Sequence, residues 1–410
     1  MALTGCATLG QSPNETDLAR YAHSTQFDHE RQRFVSPNQQ DIESFGDTLF
    51  SAQHVLRALT QSKNTSPHTP LPQQPLTKEA LQRFYQNKAE TQFIWLGHST
   101  VLLSINSNII LIDPIFNHAG PVWFIGQRFQ KSALTLKDLP YIDWVLISHD
   151  HYDHLEMSTI KALAESSTQF LVPLGVGRHL QKWGVKPQQI HEKDWWESIE
   201  IGTAYTTEQS LPNESAATLR ITLTPAHHYS GRARFMQNDT LWASFVIEGT
   251  SHRIFFSGDS GYGPHFAAIG NTFGPFDLVF IENGQYLDIA KPVHLLPEAT
   301  LQAAQALSAT HLVPIHWGAY ALSLHPWCEP PTRLMALTQQ QPSAPNLLLP
   351  MQGENIRLSG QNSLIPSHND TALNHSPLKN MLPSDTLPNN ALPNKTPLTA
   401  FSSFLQHQCD

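Results

Sequence analysis

Short apolar runs recur along the middle of this chain, and each breaks off into residues able to bind a cation. Trp144-Val145-Leu146-Ile147 stops at His149-Asp150-His151-Tyr152-Asp153-His154. Leu219-Arg220-Ile221-Thr222-Leu223 runs into Pro225-Ala226-His227-His228, and Arg253-Ile254-Phe255-Phe256-Ser257 into Gly258-Asp259. Leu312-Val313-Pro314-Ile315 runs into His316-Trp317-Gly318. Runs this short, rich in β-branched and aromatic residues, predict buried strands. Segments Ser158–Glu165, Gly175–Trp183 and Pro297–Ser308 read as helices between them. Asn346–Met351 and Asn355–Leu358 read as closing strands. Strands alternating with helices predict an α/β layered domain.

The pattern divides the chain at three places. Residues 1–88 are rich in Gln, Asn and Pro and read as an N-terminal arm, with a linker over Gln61–Pro75 and a short helix over Thr77–Asn87. Residues 89–360 carry the strand-like runs and every ligand-type cluster, and form the predicted folded domain. Residues 361–410 have recurrent Pro and no strand or helix period, which predicts a disordered tail with a transient helix over Thr399–His407.

Loops at strand ends are where a rigid scaffold displays reactive groups. Imidazoles and carboxylates are the ligands that a borderline-soft divalent ion accepts. A lone strand-end histidine is usually structural. The cluster at His149–His154 is different, because later strand ends offer His227, His228, Asp259 and His316 to match it.

The order His-x-His-x-Asp-His resembles the signature of the metallo-β-lactamase-fold hydrolases. Trp95-Leu96-Gly97-His98-Ser99-Thr100, Leu111-Ile112-Asp113-Pro114-Ile115-Phe116, Leu146-Ile147-Ser148-His149, Asp194-Trp195-Trp196-Glu197, Gly274-Pro275-Phe276-Asp277-Leu278 and Pro314-Ile315-His316-Trp317-Gly318 narrow the match. They resemble the N-acylphosphatidylethanolamine-hydrolysing phospholipase D branch and its bacterial relatives, over roughly residues 90 to 358. Phe27-Asp28-His29-Glu30-Arg31-Gln32-Arg33-Phe34 is similar to that family's N-terminal arm.

The resemblance implies an αββα sandwich with a pair of zinc ions at the sheet edge, although Mn²⁺ and Fe²⁺ suit the same ligands. His149, His151 and His228 would hold the first ion. Asp153, His154 and His316 would hold the second, with Asp259 bridging. A hydroxide supplied by the ions would attack a phosphodiester, yielding phosphatidic acid and an N-acylethanolamine from the closest family's substrate. The commonest true metallo-β-lactamases carry Cys at the position of Asp259. A carboxylate there points to phosphoester or lactone chemistry, so a lactonase like the ascorbate-phosphate lactonases is the rival enzyme. A non-catalytic metal-binding envelope protein is the reading from another class. The family's dimers imply self-association.

Neighbouring residues refine the expected site. Asp113 and Asp150 are expected to orient ligand imidazoles through their second ring nitrogens, and His98 to hydrogen-bond near them. His294 matches a family position beside the substrate phosphate, where it would stabilise the leaving group. Two departures bear on substrate. His227 stands where the phospholipases have Gln; it is expected to touch substrate or to compete for metal, which leaves open whether it or His228 is the ligand. Phe280-Ile281-Glu282-Asn283-Gly284-Gln285-Tyr286 differs from the family's apolar stretch, and Glu282 is expected to face the metals or the substrate.

Composition narrows the partners. A formal charge of −9, without a basic cluster, argues against nucleic acid. No apolar run approaches the roughly 18 residues that span a bilayer. Pro121-Val122-Trp123-Phe124-Ile125 would be ordinary if packed, but exposed it would form an apolar patch at the site mouth for peripheral membrane contact. The three cysteines, Cys6, Cys328 and Cys409, imply no disulfide framework. Leu3-Thr4-Gly5-Cys6 resembles a bacterial lipobox without the basic and apolar regions that make a signal peptide. The chain as given therefore reads as cytoplasmic. A longer reading frame would instead make it an envelope lipoprotein lipidated at Cys6.

Overall fold

In the computed structural model, which describes residues 7–49, 63–202, 218–358, 364–366 and 400–409, the apolar runs become two large mixed sheets packed face to face. The first is ordered Leu364–Pro366, Asn355–Leu358, Gln92–Trp95, Val101–Ile105, Asn108–Ile112, Trp144–Leu146, Gln169–Pro173, Ile190–Lys193. The second is ordered Asn346–Leu347, Ala309–Ile315, Phe276–Glu282, Arg253–Phe256, Ser244–Glu248, Leu219–Thr224, Ser198–Ile201. From Asn108–Ile112 onward the first sheet is parallel, and from Arg253–Phe256 to Asn346–Leu347 so is the second. Parallel neighbours end at one edge, so the residues following them converge there.

Strand residues alternate between two apolar environments. Val101, Leu103 and Ile105 face the shared core between the sheets, while Leu102 faces outward. Phe245, Ile247, Ile254, Phe256, Leu278 and Phe280 line the same core from the second sheet, while Val246, Phe255, Val279 and Ile281 face the other way. A period of two with both phases apolar is what a sheet covered on both faces requires. The outer covers are helices. Lys78–Gln86, Met157–Ala164 and Gly177–Lys182 bury Phe84, Ile160 and Leu180 against the first sheet. Pro264–Phe273, Pro297–Ala306 and Glu329–Gln340 bury Ile269, Leu301 and Leu334 against the second. The layers are αββα, as expected.

The arm is built into this body. Phe27–Asp28 pairs with Arg33–Phe34, and Tyr21, Phe27 and Phe34 join the shared core. Leu71, in the predicted linker, is buried and donates its N–H to Gln130 Oε1.

The C-terminal stretch forms the helix read over Thr399–His407, but in the described residues it is docked and is preceded by an additional strand. Leu364–Pro366 adds a strand beside Asn355–Leu358, and Ala400–Cys409 is a helix that buries Phe401, Phe404 and Leu405 in the core. Residues 367–399 lie outside the described residues, as does Cys6. The expectation of no disulfide is corrected: Cys328, just before helix Glu329–Gln340, is bonded to Cys409. A sequence separation of 81 residues hid this pair. Only the docking of the last helix brings the two thiols together.

Candidate metal centre

The converging edge gathers Asp113 after Asn108–Ile112, Ser148 and His149 after Trp144–Leu146, and His227 and His228 after Leu219–Thr224. Asp259 follows Arg253–Phe256, Glu282 ends Phe276–Glu282, and His316 follows Ala309–Ile315. His98 sits in the turn joining Gln92–Trp95 to Val101–Ile105. The two sheets are stitched here, since His98 N donates to Trp317 O at 2.8 Å and His316 N donates to His98 O at 3.1 Å. His98, Asp113 and His316 all have positive φ, at 52°, 41° and 67°. Such strained conformations cluster where the surrounding structure must aim a functional side chain. Gly258, with φ 56°, precedes Asp259 where a Cβ would come within 2.8 Å of Ser148 Cβ. Its lack of a side chain lets the two sheet edges meet.

The hydrogen bonds fix the tautomers. His228 Nδ1 can only donate to the carbonyl of Val293, 2.9 Å away, which leaves Nε2 as a bare lone pair. Ser148 Oγ donates to Asp113 Oδ2 at 2.6 Å, so it accepts from His149 Nδ1 at 2.9 Å and leaves His149 Nε2 bare. His151 Nδ1 lies 3.0 Å from His149 Nε2 and 3.2 Å from His228 Nε2. One proton on His151 can serve only one of these acceptors, whereas a cation would satisfy all three nitrogens. His149 and His228 are held well below the ordinary imidazole pKa, chiefly by burial, so both are neutral and competent as ligands.

On the other side, His154 Nε2 lies 3.2 Å from Asp259 Oδ1, and His316 Nε2 lies 3.1 Å from Asp259 Oδ2 and 3.3 Å from Asp153 Oδ2. His154 Nε2, His316 Nε2 and Asp259 Oδ1 are buried yet make no well-directed hydrogen bond among the described residues. Burial opposes charge on His316, but Asp259 and Asp153 outweigh it and push the imidazole up to about 10. For Asp259 burial is likewise outweighed, by His154 and His316, and the carboxyl stays well below its usual range. Protons on the histidines thus supply positive charge that a metal would supply. Four overlapping groups of ligand atoms result: His149/His151/His228, His149/His154/Asp259, Asp259/His294/His316 and His98/Asp153/His154/His316. Bare imidazole nitrogens and unpartnered carboxylate oxygens around a common point fit a divalent cation.

The expected ligands His149, His151, Asp153, His154, His228, Asp259 and His316 all fall in these groups. His227 does not. Its ring turns to His265, with centroids 4.4 Å apart. Asp113 meets its expectation, accepting from His154 Nδ1 at 2.8 Å and, through Ser148, steadying His149. Asp150 does not orient a clustered imidazole: its oxygens take Gly231 N at 2.7 Å and His179 Nε2 at 3.2 Å, because its side chain points away from the cluster, under the loop. Glu282 is buried and committed internally, Oε1 accepting from His294 Nδ1 at 3.0 Å and Leu295 N at 2.8 Å, Oε2 from Ser260 N at 2.7 Å. It touches His294 and leaves that ring, a quarter exposed, at the opening.

Sequence reasoning missed Ser148, Arg232 and His179. Arg232 is buried, with its guanidinium 3.9 Å over the Tyr152 ring, and Nη1 donates to the carbonyls of Asp150 and Leu155 at 2.6 and 3.0 Å. It clamps the ligand loop from beneath. Nothing in its local sequence signals this, since the partners are some 80 residues away.

A family model described as the beta-lactamase superfamily domain matches residues 108–317. An uncharacterized protein of Mycobacterium tuberculosis is 38% identical over 278 residues, covering 66% of this chain and 70% of that protein. The N-acyl-phosphatidylethanolamine-hydrolyzing phospholipase D 1 of Caenorhabditis elegans is 31% identical over 238 residues, covering 56% of this chain and 64% of the worm protein. Among solved structures, Igni18, a metallo hydrolase from Ignicoccus hospitalis, aligns with a TM-score of 0.49 at 19% identity, over 66% of this chain and 98% of its own. The chain belongs to the β-lactamase superfamily and is a metal-dependent hydrolase with the metallo-β-lactamase fold.

Proposed function

We propose that this hydrolase is a two-ion, zinc-dependent phosphodiesterase of the phospholipase D type, acting on N-acylphosphatidylethanolamine-like phospholipids. In this reading His149, His151 and His228 hold one ion, and Asp153, His154 and His316 the other. The observation that carries it is the position of Asp259, whose Oδ1 lies 3.2 Å from His154 Nε2 while its Oδ2 lies 3.8 Å from both His149 Nε2 and His228 Nε2. One carboxylate therefore faces both histidine sets. Bound there, a pair of divalent ions lowers the pKa of water and polarises a phosphoryl oxygen.

The chain's own residues do the rest. Asp113, Ser148 and the Val293 carbonyl hold the imidazoles in the tautomers that present a lone pair. His294 donates a hydrogen bond from Nδ1–H to Glu282, which leaves Nε2 for a substrate oxygen, and its raised pKa suits it to hold a proton for the leaving group. Burial alone would lower that pKa; the Glu282 carboxylate raises it. The phospholipid substrate rests on relatives named for that activity in the worm and in Saccharomyces cerevisiae, the latter 29% identical over 252 residues. Peripheral membrane contact and self-association belong to the same reading. Among the described residues no helix is long and apolar enough to cross a membrane.

The test is to offer the zinc-loaded protein matched panels of phosphodiesters and lactones. Phosphodiester turnover that disappears in Asp259→Asn supports the proposal. Turnover confined to lactones would move the chemistry to a carbonyl centre and end it.

A further inference from the structure

Two turns beside the metal centre present large apolar side chains to solvent. The first closes through Ala119 N to Gly126 O at 2.8 Å and Ile125 N to Val122 O at 3.0 Å. At its tip Trp123 is 66% exposed, Phe124 62% and Ile125 46%. The second is the single 3₁₀ turn Arg234–Met236, where Phe235 is 69% exposed. Burying such groups is the ordinary outcome of folding, so this exposure needs a reason.

The turns are tied to each other and to the ligand loop. Thr8 Oγ donates to Pro121 O at 2.8 Å, and Thr8 O accepts from Arg232 Nε at 2.8 Å. Arg232 in turn holds the carbonyls of Asp150 and Leu155, at either end of the ligand loop. The first turn is also braced by Tyr320, whose hydroxyl donates to Asn117 O and whose ring packs 5.1 Å from that of His98. Tips and metal cluster are thus parts of one rim.

The charge of these two segments is compatible with an anionic surface. The chain holds 34 acidic against 25 basic residues, yet segments 114–131 and 225–238 contain no acidic residue; Lys131 and Arg234 are exposed there, while Arg128 and the buried Arg232 are engaged with backbone carbonyls. Arg234 is exposed beside Phe235, and Arg33 Nη2 donates to Phe235 O at 3.4 Å. Exposed aromatic side chains, with Arg234 beside Phe235, are suited to the boundary between headgroups and acyl chains of an anionic lipid layer.

We infer that this rim docks on an anionic lipid surface, the Trp123–Ile125 tip and Phe235 entering the interface with Arg234 at the headgroups, so that the metal centre opens toward the bilayer. The inference deepens the phospholipid reading by naming the surface on which the substrate is met.

The test is co-sedimentation of the full-length protein with vesicles of phosphatidylglycerol and phosphatidylethanolamine, alongside turnover of the water-soluble diester bis(p-nitrophenyl) phosphate. Wild type should pellet with the vesicles. Trp123→Ser with Phe124→Ser should bind at least about tenfold more weakly, the scale expected for losing two buried aromatic side chains, with soluble turnover unchanged. Phe235→Ser should weaken binding independently. Arg234→Glu should weaken it on anionic vesicles and not on neutral ones. Wild type left in the supernatant, or equal binding by the double variant, overturns the inference. So does a concentration-dependent dimer that the double variant abolishes while vesicle binding stays low, since a second copy would then cover the patch. Vesicle binding without turnover of any phosphodiester would fault the proposed chemistry and leave docking intact. Turnover without vesicle binding would do the reverse.

Discussion

Asp113 Oδ2 lies 2.8 Å from Nδ1 of His154, and the same oxygen accepts the Ser148 hydroxyl at 2.6 Å. One fully buried carboxylate thereby fixes the ring of one clustered histidine directly and of another, His149, through a serine. Replacing Asp113 by Asn leaves an amide that must present its oxygen to two donors while its NH₂ faces Ser148 N–H, which also donates to the carboxylate in the native protein. Asp113→Asn should weaken metal binding by about 10–100-fold, the range for lost supporting hydrogen bonds to ligands. Competition against a chromophoric chelator reads this directly, and unchanged affinity would show that the rings are held by packing alone.

The adjacent histidines His227 and His228 should separate cleanly. His228 meets His149 and His151, whereas His227 packs on His265. His228→Ala should lose bound metal and activity together. His227→Ala should keep its metal content, so any effect it has should fall on substrate handling. Elemental analysis of both variants decides the matter.

Much of this arrangement was legible in the sequence because ligand-type residues stand at the ends of short apolar runs. The short apolar runs Trp144–Ile147, Leu219–Leu223, Arg253–Ser257 and Leu312–Ile315 gave away buried strands, and their C-terminal ends gave away the edge where the cluster forms. What stayed hidden depends on tertiary direction. Nothing in His149-Asp150-His151 tells that Asp150 turns down to His179 and Gly231 while its neighbours point at Asp259. Glu282 ends its strand as a ligand would, but the nearby backbone N–H groups of Ser260 and Leu295 claim it. The last helix was legible over Thr399–His407, but its docking in the core and its anchoring disulfide were hidden by chain distance.

Metal-free protein should lose stability as pH rises. His316, pushed up to about 10 in the fold by Asp259 and Asp153 against the opposing effect of burial, contributes stability that is full below the unfolded imidazole pKa of about 6.5. That contribution is lost as pH climbs through the folded value. Thermal unfolding of chelator-treated protein should therefore show a falling melting temperature between roughly pH 6.5 and 10, and metal-loaded protein a flatter profile. Conversely, metal uptake must displace the protons on these histidines and should tighten over the same range. A metal-free protein whose stability holds level across that window would refute the charge arrangement.

Cys409→Ser should release the C-terminal helix. Phe401 stacks near Trp317, the neighbour of His316, with centroids 6.5 Å apart, and the Cys328–Cys409 bond closes this contact. The loss should cost about 2–4 kcal/mol, the usual size for a native disulfide, and speed amide exchange over Phe401–Leu405. Equal melting temperatures and exchange in the variant would mean that the helix docks without its bond.

The most direct measurement follows phosphatidic acid released from N-acylphosphatidylethanolamine micelles as zinc is added back to metal-free protein, with Asp259→Asn in parallel. Activity should rise with zinc, level off near two equivalents per chain, and be absent from the variant. Release that survives chelation, or that proceeds equally in Asp259→Asn, would contradict the two-ion chemistry.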